Sequence, residues 1–181
     1  MGQRLVHTLP FILFCLISLI SCTNDVEKKL KLFMQEPVTL PDSLEFIKGD
    51  TSAVESLIIE KPTLIVYIDS LSCTSCKIGH LIDYYMLYEA EEVMKKIDIK
   101  IIFSPKQEDY NKVKMELSLS LCKFPLYINH SGELKDKNCI IVKDQRFHCF
   151  LIDEKCIPIF VGDPTKSDDF WQLFEKIVLQ L

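Results

Sequence analysis

The sequence has little glycine, a single tryptophan and no excess of positive charge. Five glycines in 181 residues supply no glycine-rich loop of the kind that holds nucleotide phosphates. A net charge of −5, from 21 basic and 26 acidic side chains, leaves no cationic surface for nucleic acid, which we do not expect as a partner. The chain is nevertheless 48 % apolar, which is enough to fill the core of one compact domain.

Cysteine is the residue type that the chain has in surplus. Eight cysteines are too few for a disulfide scaffold, and they exceed what most proteins of reducing compartments carry. Composition alone does not explain them, so their positions have to be interpreted one by one.

The first twenty residues have the character of a signal peptide. Arg4 is followed by a run from Leu5 to Ile20 that is almost entirely apolar, and its length of about 16 residues is short of the ~20 that span a bilayer as a helix. The alternative is an uncleaved membrane helix with an incidental cysteine.

The end of this run resembles a bacterial lipobox. Leu19-Ile20-Ser21-Cys22 predicts cleavage before Cys22 and lipidation of its thiol, so that acyl chains attach the protein to the membrane. We therefore expect residues 1–21 to be a lipoprotein signal peptide. The mature protein would be lipid-anchored in the bacterial cell envelope and face the periplasm or the cell surface, where disulfides persist.

The remainder is predicted to be a short tether with a helix, residues 22–36, followed by one domain, residues 37–181. Apolar periodicity and turn residues place the secondary structure. Strands are predicted at 64–68, 97–103, 125–129, 147–152 and 157–161, with a short edge strand at 44–47. Helices are predicted at 26–36, 78–96 and 107–121, with a last one capped by Ser167 or Asp168. The alternation of strands and helices, closed by a hairpin, predicts a three-layer α/β domain with a mixed central sheet.

Two of the cysteines form a Cys-x-x-Cys pair where the first buried strand gives way to a helix. At a helix start, unpaired backbone N–H groups and the helix dipole stabilise a thiolate. The spacing predicts Cys73 as the exposed nucleophile and Cys76 as the buried thiol that resolves a mixed disulfide. Lys77 adds positive charge beside them. A structural disulfide, two unrelated core cysteines and a metal site are the alternatives.

These segments resemble the thioredoxin-like superfamily, in particular the membrane-anchored TlpA/ResA-like thiol–disulfide oxidoreductases. The combination with a lipobox is similar to thioredoxin-like lipoproteins of Bacteroidetes-type bacteria. The resemblance rests on residues 64–68, 73–76, 124–129 with Gly132-Glu133, 150–153 and 160–162. It implies a thioredoxin-like fold in which Cys73 and Cys76 exchange electrons with thiols or disulfides of envelope proteins. It implies no cofactor beyond the redox-active disulfide.

The sequence departs from the family at two positions. Ser72 precedes the pair where the family usually has Trp, and Phe147 stands where the family places a cis-proline that shapes substrate docking and keeps metal from the thiols. A non-catalytic binding module is therefore the alternative function, either a partner-docking lipoprotein or a carrier of copper or zinc. Its metal ligands would be drawn from Cys73, Cys76, His80 and His148.

Six residues are auxiliary candidates or remain unassigned. Asp69, at the end of the strand before the pair, is either an acid that assists proton transfer or a turn residue. Cys149 is either a third redox thiol or a small core residue, and His148 is expected to lie near Cys73. The pairing of Cys122, Cys139, Cys149 and Cys156 cannot be deduced from their spacing.

Overall fold

The computed structural model describes residues 25–70, 74–130, 134, 137–138, 141 and 144–181. The signal peptide, Cys22, Cys73 and Cys139 lie outside the described residues, so their predicted roles stay predictions. Within the described ranges, no helix is long and apolar enough to cross a membrane.

A mixed β-sheet forms the centre of the domain, with seven strands over the described residues. The strands are β1 (Ser43–Lys48), β2 (Thr51–Ser56), β3 (Thr63–Ile68), β4 (Asp98–Phe103), β5 (Leu126–Ile128), β6 (Cys149–Ile152) and β7 (Pro158–Val161). Their spatial order is β2-β1-β5-β4-β3-β6-β7. Strands β3, β4 and β5 are parallel to one another, and the others pair antiparallel. The predicted α/β domain with a mixed central sheet is confirmed.

Strand β3 lies inside the sheet, between β4 and β6, and all six of its side chains are buried. Its alternate residues face opposite sides. Leu64, Val66 and Ile68 belong to one apolar cluster, and Ile65 and Tyr67 belong to the other. A strand with two apolar faces is stable only when both are covered, so the sheet lies between two layers.

Helices cover the two faces unequally. The helices are α1 (residues 25–33), α2 (Thr74–Gly79), α3 (Tyr85–Glu89), α4 (Glu91–Lys96), α5 (Tyr110–Ser118) and α6 (Asp168–Leu179). Buried side chains of α3 to α6 join the cluster that contains Leu64. The opposite face is covered by α1, through Phe33, and by a segment that includes Leu134 and Ile141.

The prediction of one continuous helix over 78–96 is wrong. A 3₁₀ turn at His80–Tyr84 follows α2, and Ala90, with a ψ of 75°, separates α3 from α4. Because a 3₁₀ turn has 3.0 residues per turn rather than 3.6, the buried positions shift. Ile82, an apolar residue within this turn, is 66 % exposed, whereas Tyr84 is buried.

The prediction that residues 44–47 form an edge strand is also wrong. Strand β1 pairs with β2 on one side and β5 on the other, and the edge of the sheet is β2. All six side chains of β2 are exposed, so the strand has no apolar face for a periodicity analysis to detect. The turn at Gly49-Asp50 and backbone hydrogen bonds to β1 hold it in place.

A buried carboxylate joins β1 to the helix and strand beside it. Glu45 accepts hydrogen bonds from the Tyr110 hydroxyl at 2.8 Å, from Lys114 Nζ at 2.6 Å and from His130 Nε2 at 2.5 Å. Burial alone would raise the pKa of this carboxyl, but the bonds from Lys114, His130 and Tyr110 lower it to about 2. The Glu45 cluster therefore links β1, α5 and the end of β5 through one ionised group.

Candidate functional site

The segment that carries the Cys-x-x-Cys pair lies at the carboxyl end of β3. There β3 pairs with β4 in parallel and with β6 antiparallel. In open α/β sheets, ligands and substrates bind outside the carboxyl ends of the parallel strands. The fold therefore places α2, with Cys76 in it, at the edge of the sheet where a site is expected.

Cys76 is solvent-exposed, so the prediction of a buried thiol at this position is wrong. Its neighbours Ser75 and Lys77 are exposed as well, because α2 projects beyond the sheet and burial begins only at Leu81. Ser75 Oγ donates to Glu116 Oε1 at 3.0 Å, which ties α2 to α5. An exposed position is accessible to the thiols of another protein.

His148 lies beside residues from both ends of the segment that contains the pair. It is 9 % exposed, and its ring packs edge-on against Tyr67 with a centroid distance of 5.1 Å. Its carbonyl accepts from the Tyr67 amide at 2.7 Å. Asp69 and Lys77 are both close enough to act on its charge. The structure thus brings together three predicted auxiliary residues.

The His148 ring is bonded at one nitrogen. The ring hydrogen-bonds to the backbone carbonyl of Ile141. Nε2 is buried and has no hydrogen-bond partner among the described residues, so Nδ1–H is the donor. Burial lowers the pKa of His148, although the Asp69 carboxylate acts in the opposite direction. The ring is therefore neutral at pH 7, and Nε2 carries a lone pair.

A cavity of about 320 Å³ lies between α2, the start of β6 and α6. Residues lining it include Lys77, Tyr84, His148, Cys149, Asp163 and Phe170. Gly162, which also lines the cavity, has a φ of 143°. Residues with a Cβ atom rarely adopt this backbone conformation. A Cβ there would lie 2.4 Å from a ring carbon of Phe170, so the shape of this wall depends on glycine.

Cys149 is a core residue on the inner wall of this cavity. It is buried, and it shares a hydrogen bond with Tyr84, whose hydroxyl also bonds to Asp163. Burial raises the pKa of Cys149 well above its usual value, and it also raises the pKa of Tyr84. A protonated, inaccessible thiol is the state of a packed core cysteine rather than of a nucleophile. A redox role for Cys149 stays a prediction.

The remaining cysteines with described positions are separated by the sheet. Cys122 packs with the cluster that includes Cys149, whereas Cys156 packs on the opposite face. All three are free thiols, and burial raises the pKa of Cys122 and Cys156. A disulfide that includes Cys139 is not tested, because Cys139 lies outside the described residues.

The described residues contain no cluster of ligands that would support the metal-binding alternative. His80 is exposed, and its Nδ1 lies 3.0 Å from Asp83 Oδ2. In the part of the chain that the structure describes, no three His, Cys, Asp or Glu side chains are arranged to hold a metal ion. Because Cys73 is outside that part, the copper or zinc site stays a prediction.

Phe147, at the position of the family proline, points into the core on the far side of the sheet. It is 1 % exposed and contacts Phe33 of α1 at a centroid distance of 5.3 Å, with the rings edge to face. Its amide donates to the Asp144 carbonyl at 3.0 Å in a 3₁₀ turn over Gln145–Phe147. The loop before β6 is thus held by packing against α1.

Sequence reasoning did not find Phe33, Tyr84 or Asp163 as residues that shape the site. Phe33 lies more than a hundred positions before the residue it contacts, and no spacing in the sequence links Tyr84 to Cys149 or Asp163. The Gly162-Asp163 turn after the last strand was the one local signal, since glycine at a strand end marks a close approach of neighbouring atoms.

The fold that positions these groups is thioredoxin-like, as the resemblance implied. It matches the solution structure of a thioredoxin-like protein from Porphyromonas gingivalis with a TM-score of 0.50 and 12 % identity, over 78 % of this chain and 93 % of that one. It also matches the thioredoxin domain of a thiol-disulfide oxidoreductase from Bacteroides vulgatus, with a TM-score of 0.49, 17 % identity and coverages of 79 % and 98 %.

A third similar structure is the exposed lipoprotein thioredoxin of Streptococcus pneumoniae, with a TM-score of 0.48, 15 % identity and coverages of 74 % and 98 %. At these identities the likeness concerns the fold alone. No protein-family profile matches the sequence, and no curated protein sequence does.

Proposed function

We propose that this chain is an envelope-anchored lipoprotein that exchanges dithiols and disulfides through Cys73 and Cys76. The observation that carries the proposal is the exposed position of Cys76 on α2, which follows the carboxyl end of β3, an interior strand of a thioredoxin-like sheet. An unrelated core cysteine would be buried, as Cys149 is.

The exchange proceeds in two steps that conserve atoms and electrons. The thiolate of Cys73 attacks a substrate disulfide, and a mixed disulfide forms as the first substrate sulfur leaves. Cys76 then attacks the Cys73 sulfur and releases the second substrate thiol. The protein dithiol is oxidised by two electrons and the substrate disulfide is reduced. The reverse direction uses the same residues, and the reduction potential of the pair sets which direction prevails.

Serine variants of the pair test the chemistry. Cys73→Ser should reduce the rate of insulin-disulfide reduction to background, because no nucleophile remains to form the mixed disulfide. Cys76→Ser should accumulate that mixed disulfide, seen by mass spectrometry, because the resolving thiol is gone. Cys122→Ser, a half-buried thiol elsewhere, should leave the rate unchanged. Full activity of Cys73→Ser, with no trapped species in Cys76→Ser, would exclude this function.

Metabolic labelling tests the anchor. When the full chain is produced in a bacterium fed labelled palmitate, the wild type should incorporate the label and sediment with membranes, whereas Cys22→Ser should do neither. Cys15→Ser, which changes a cysteine within the predicted signal peptide, is the matched control and should incorporate label normally. Equal labelling of Cys22→Ser and wild type would exclude Cys22 as the lipidated residue.

A further inference from the structure

We propose that the free edge of strand β2 pairs with the same strand of a second copy of this chain. The two strands would run antiparallel about a twofold axis at Val54, so that one sheet continues through both copies. The inference goes beyond the proposed function and does not depend on the thiols of the Cys73–Cys76 pair. It concerns the sheet edge that lies farther from β3.

The two edges of the sheet differ in how they are protected against pairing. The β7 edge carries Pro158, which has no amide N–H, and the register between β6 and β7 shifts at Leu151/Ile152. Proline and bulges are devices that keep edge strands from associating. Strand β2 has neither proline nor lysine, and its pairing with β1 is uninterrupted over six residue pairs. It is therefore an edge on which another strand can be added.

Every second residue of β2 directs its backbone groups away from β1. The Leu57 amide donates to the Asp42 carbonyl at 3.1 Å, one step beyond the register of β1 and β2. Because backbone groups alternate in direction along an antiparallel strand, those of Ser52, Val54 and Ser56 point to the open side. Strand β2 is the last strand of the sheet over the described residues, so none of the described strands pairs with this side.

A twofold axis at Val54 gives the register that uses all three of these residues. Val54 exchanges two hydrogen bonds with Val54 of the other copy, and Ser52 does the same with Ser56. The Ser56 carbonyl already accepts from the Ile58 amide at 3.1 Å, but a carbonyl has a second lone pair for the added bond. The strand is thus complementary to its own copy.

Charge favours the same register. Glu55 is the only charged residue of β2, and with the axis at Val54 it lies opposite Ala53 of the other copy. The two Glu55 side chains are then diagonal neighbours, about 7–8 Å apart. Moving the axis to Glu55 would set the two carboxylates directly opposite each other, an arrangement that destabilises a strand pair.

Exposed apolar side chains lie where a second copy would cover them. Val54 is 74 % exposed, and Met115 of α5 is 59 % exposed. Met115 lines a cavity of about 330 Å³ with Thr51 and Ser52, so it faces the open edge. Val54 pairs with Glu45, whose carboxylate contacts α5, and its side chain is therefore on the same face of the sheet.

The spacing of the helices favours a second copy over a single extended peptide. In the continued sheet the two β1 strands would be roughly 14 Å apart, which is three strand spacings. Helix α5 lies over β1 through Tyr110 and Lys114, and a helix with its side chains is about 10–12 Å wide. Two copies of α5 would therefore flank the shared strands and cover Val54 and Met115, whereas a peptide would bring no second helix.

Cysteine cross-linking in cells tests the pairing. The full chain with a C-terminal epitope tag is produced in a bacterium, and it carries Cys73→Ser and Cys76→Ser so that the pair cannot react. Opposite Cα atoms of a hydrogen-bonded antiparallel pair are about 5.5 Å apart, which a disulfide can bridge. After mild oxidation, we expect Val54→Cys to give a species of twice the monomer mass on a non-reducing gel. The parent chain should give none.

Ala53→Cys is the matched control for the register. Ala53 is exposed on the same strand, but it lies opposite Glu55, and its two copies would be roughly 8 Å apart, too far for a disulfide. We therefore expect little dimer from Ala53→Cys. Equal cross-linking of the two variants, or no dimer from Val54→Cys, would overturn the proposal. Adducts of Val54→Cys with other proteins in place of the dimer would also overturn it, because the edge would then have a different partner.

Proline variants test the backbone bonds without an added thiol. Val54→Pro removes an amide that points to the open side, so the monomer should stay folded. Sedimentation equilibrium in density-matched detergent should show self-association weakened by about 10-fold or more. Ala53→Pro removes an amide that points to β1 and should instead lower the melting temperature. Self-association of Val54→Pro equal to that of the wild type would exclude this edge as the interface.

Discussion

Replacing Phe147 with alanine should lower the free energy of unfolding by about 4 kcal/mol, within the range of 3–5 kcal/mol for deleting a buried phenylalanine ring. The ring is almost completely buried and packs against Phe33. Phe33 also contacts Phe150 edge to face at 5.3 Å. A cavity here would loosen α1 and the loop before β6 together. Urea denaturation measures the change.

A matched variant and a family-like variant sharpen this prediction. Phe170→Ala makes the same chemical change at a ring that is 42 % exposed, and it should cost no more than about half as much. Phe147→Pro should also destabilise the protein, because it removes both the ring and the amide that donates to the Asp144 carbonyl. A Phe147→Pro protein as stable as the wild type would show that this loop keeps the family's arrangement.

Replacing Glu45 with glutamine should lower the free energy of unfolding at pH 7 by about 2 kcal/mol, since it removes the charge from a buried, multiply bonded carboxylate. Lys114 and His130 would lose the anion that they contact. The expected loss of stability is smaller than for a fully buried ion pair, because Lys114 and His130 are both partly exposed to solvent. Glu92→Gln alters an exposed glutamate paired with Lys95, and it should have no measurable effect.

The same residue predicts a loss of stability in acid. The pKa of Glu45 in the folded protein, about 2, lies below its value in the unfolded chain, so the unfolded state binds protons first as the pH falls. The stabilisation is therefore complete above about pH 4.5 and declines towards pH 2, by about 3 kcal/mol in total. Unfolding curves between pH 2 and pH 6 should show this decline in the wild type relative to Glu45→Gln. Parallel curves for the two proteins would contradict the assignment.

Local sequence patterns predicted the elements that are fully buried and those that are stabilised by residues close to them in the sequence. Strand β3 was recognisable because each of its six residues is buried. The cap of α6 was recognisable because serine is a preferred N-cap residue, and Ser167 accepts a hydrogen bond from the Phe170 amide. In contrast, β2 has no buried side chain, and the 3₁₀ turn at His80–Tyr84, which directly follows Gly79, lies within a continuous helical pattern of apolar residues.

The candidate site was predictable in its chemistry and less so in its environment. Spacing alone indicated the cysteine pair, whose chemistry stays a prediction. The resemblance predicted His148 near Cys73, and the structure shows it close to Asp69 and Lys77, whereas Cys73 itself lies outside the described residues. The exposure of Cys76 depends on how far α2 projects past the sheet, and the contact of Phe147 depends on Phe33. Both are set by long-range packing, which no periodicity within one segment encodes.

The position of α1 has a consequence for how far the protein can reach. The described part of α1 begins at residue 25, three positions after Cys22, and three residues of chain span at most about 10 Å even when fully extended. Phe33, the last residue of α1, is packed in the core of the domain. With a lipid on Cys22, so short a linker would keep the domain close to the bilayer. Its encounters would then be confined to a thin layer at the membrane surface, where a partner held in the same layer gains effective concentration without any tighter contact.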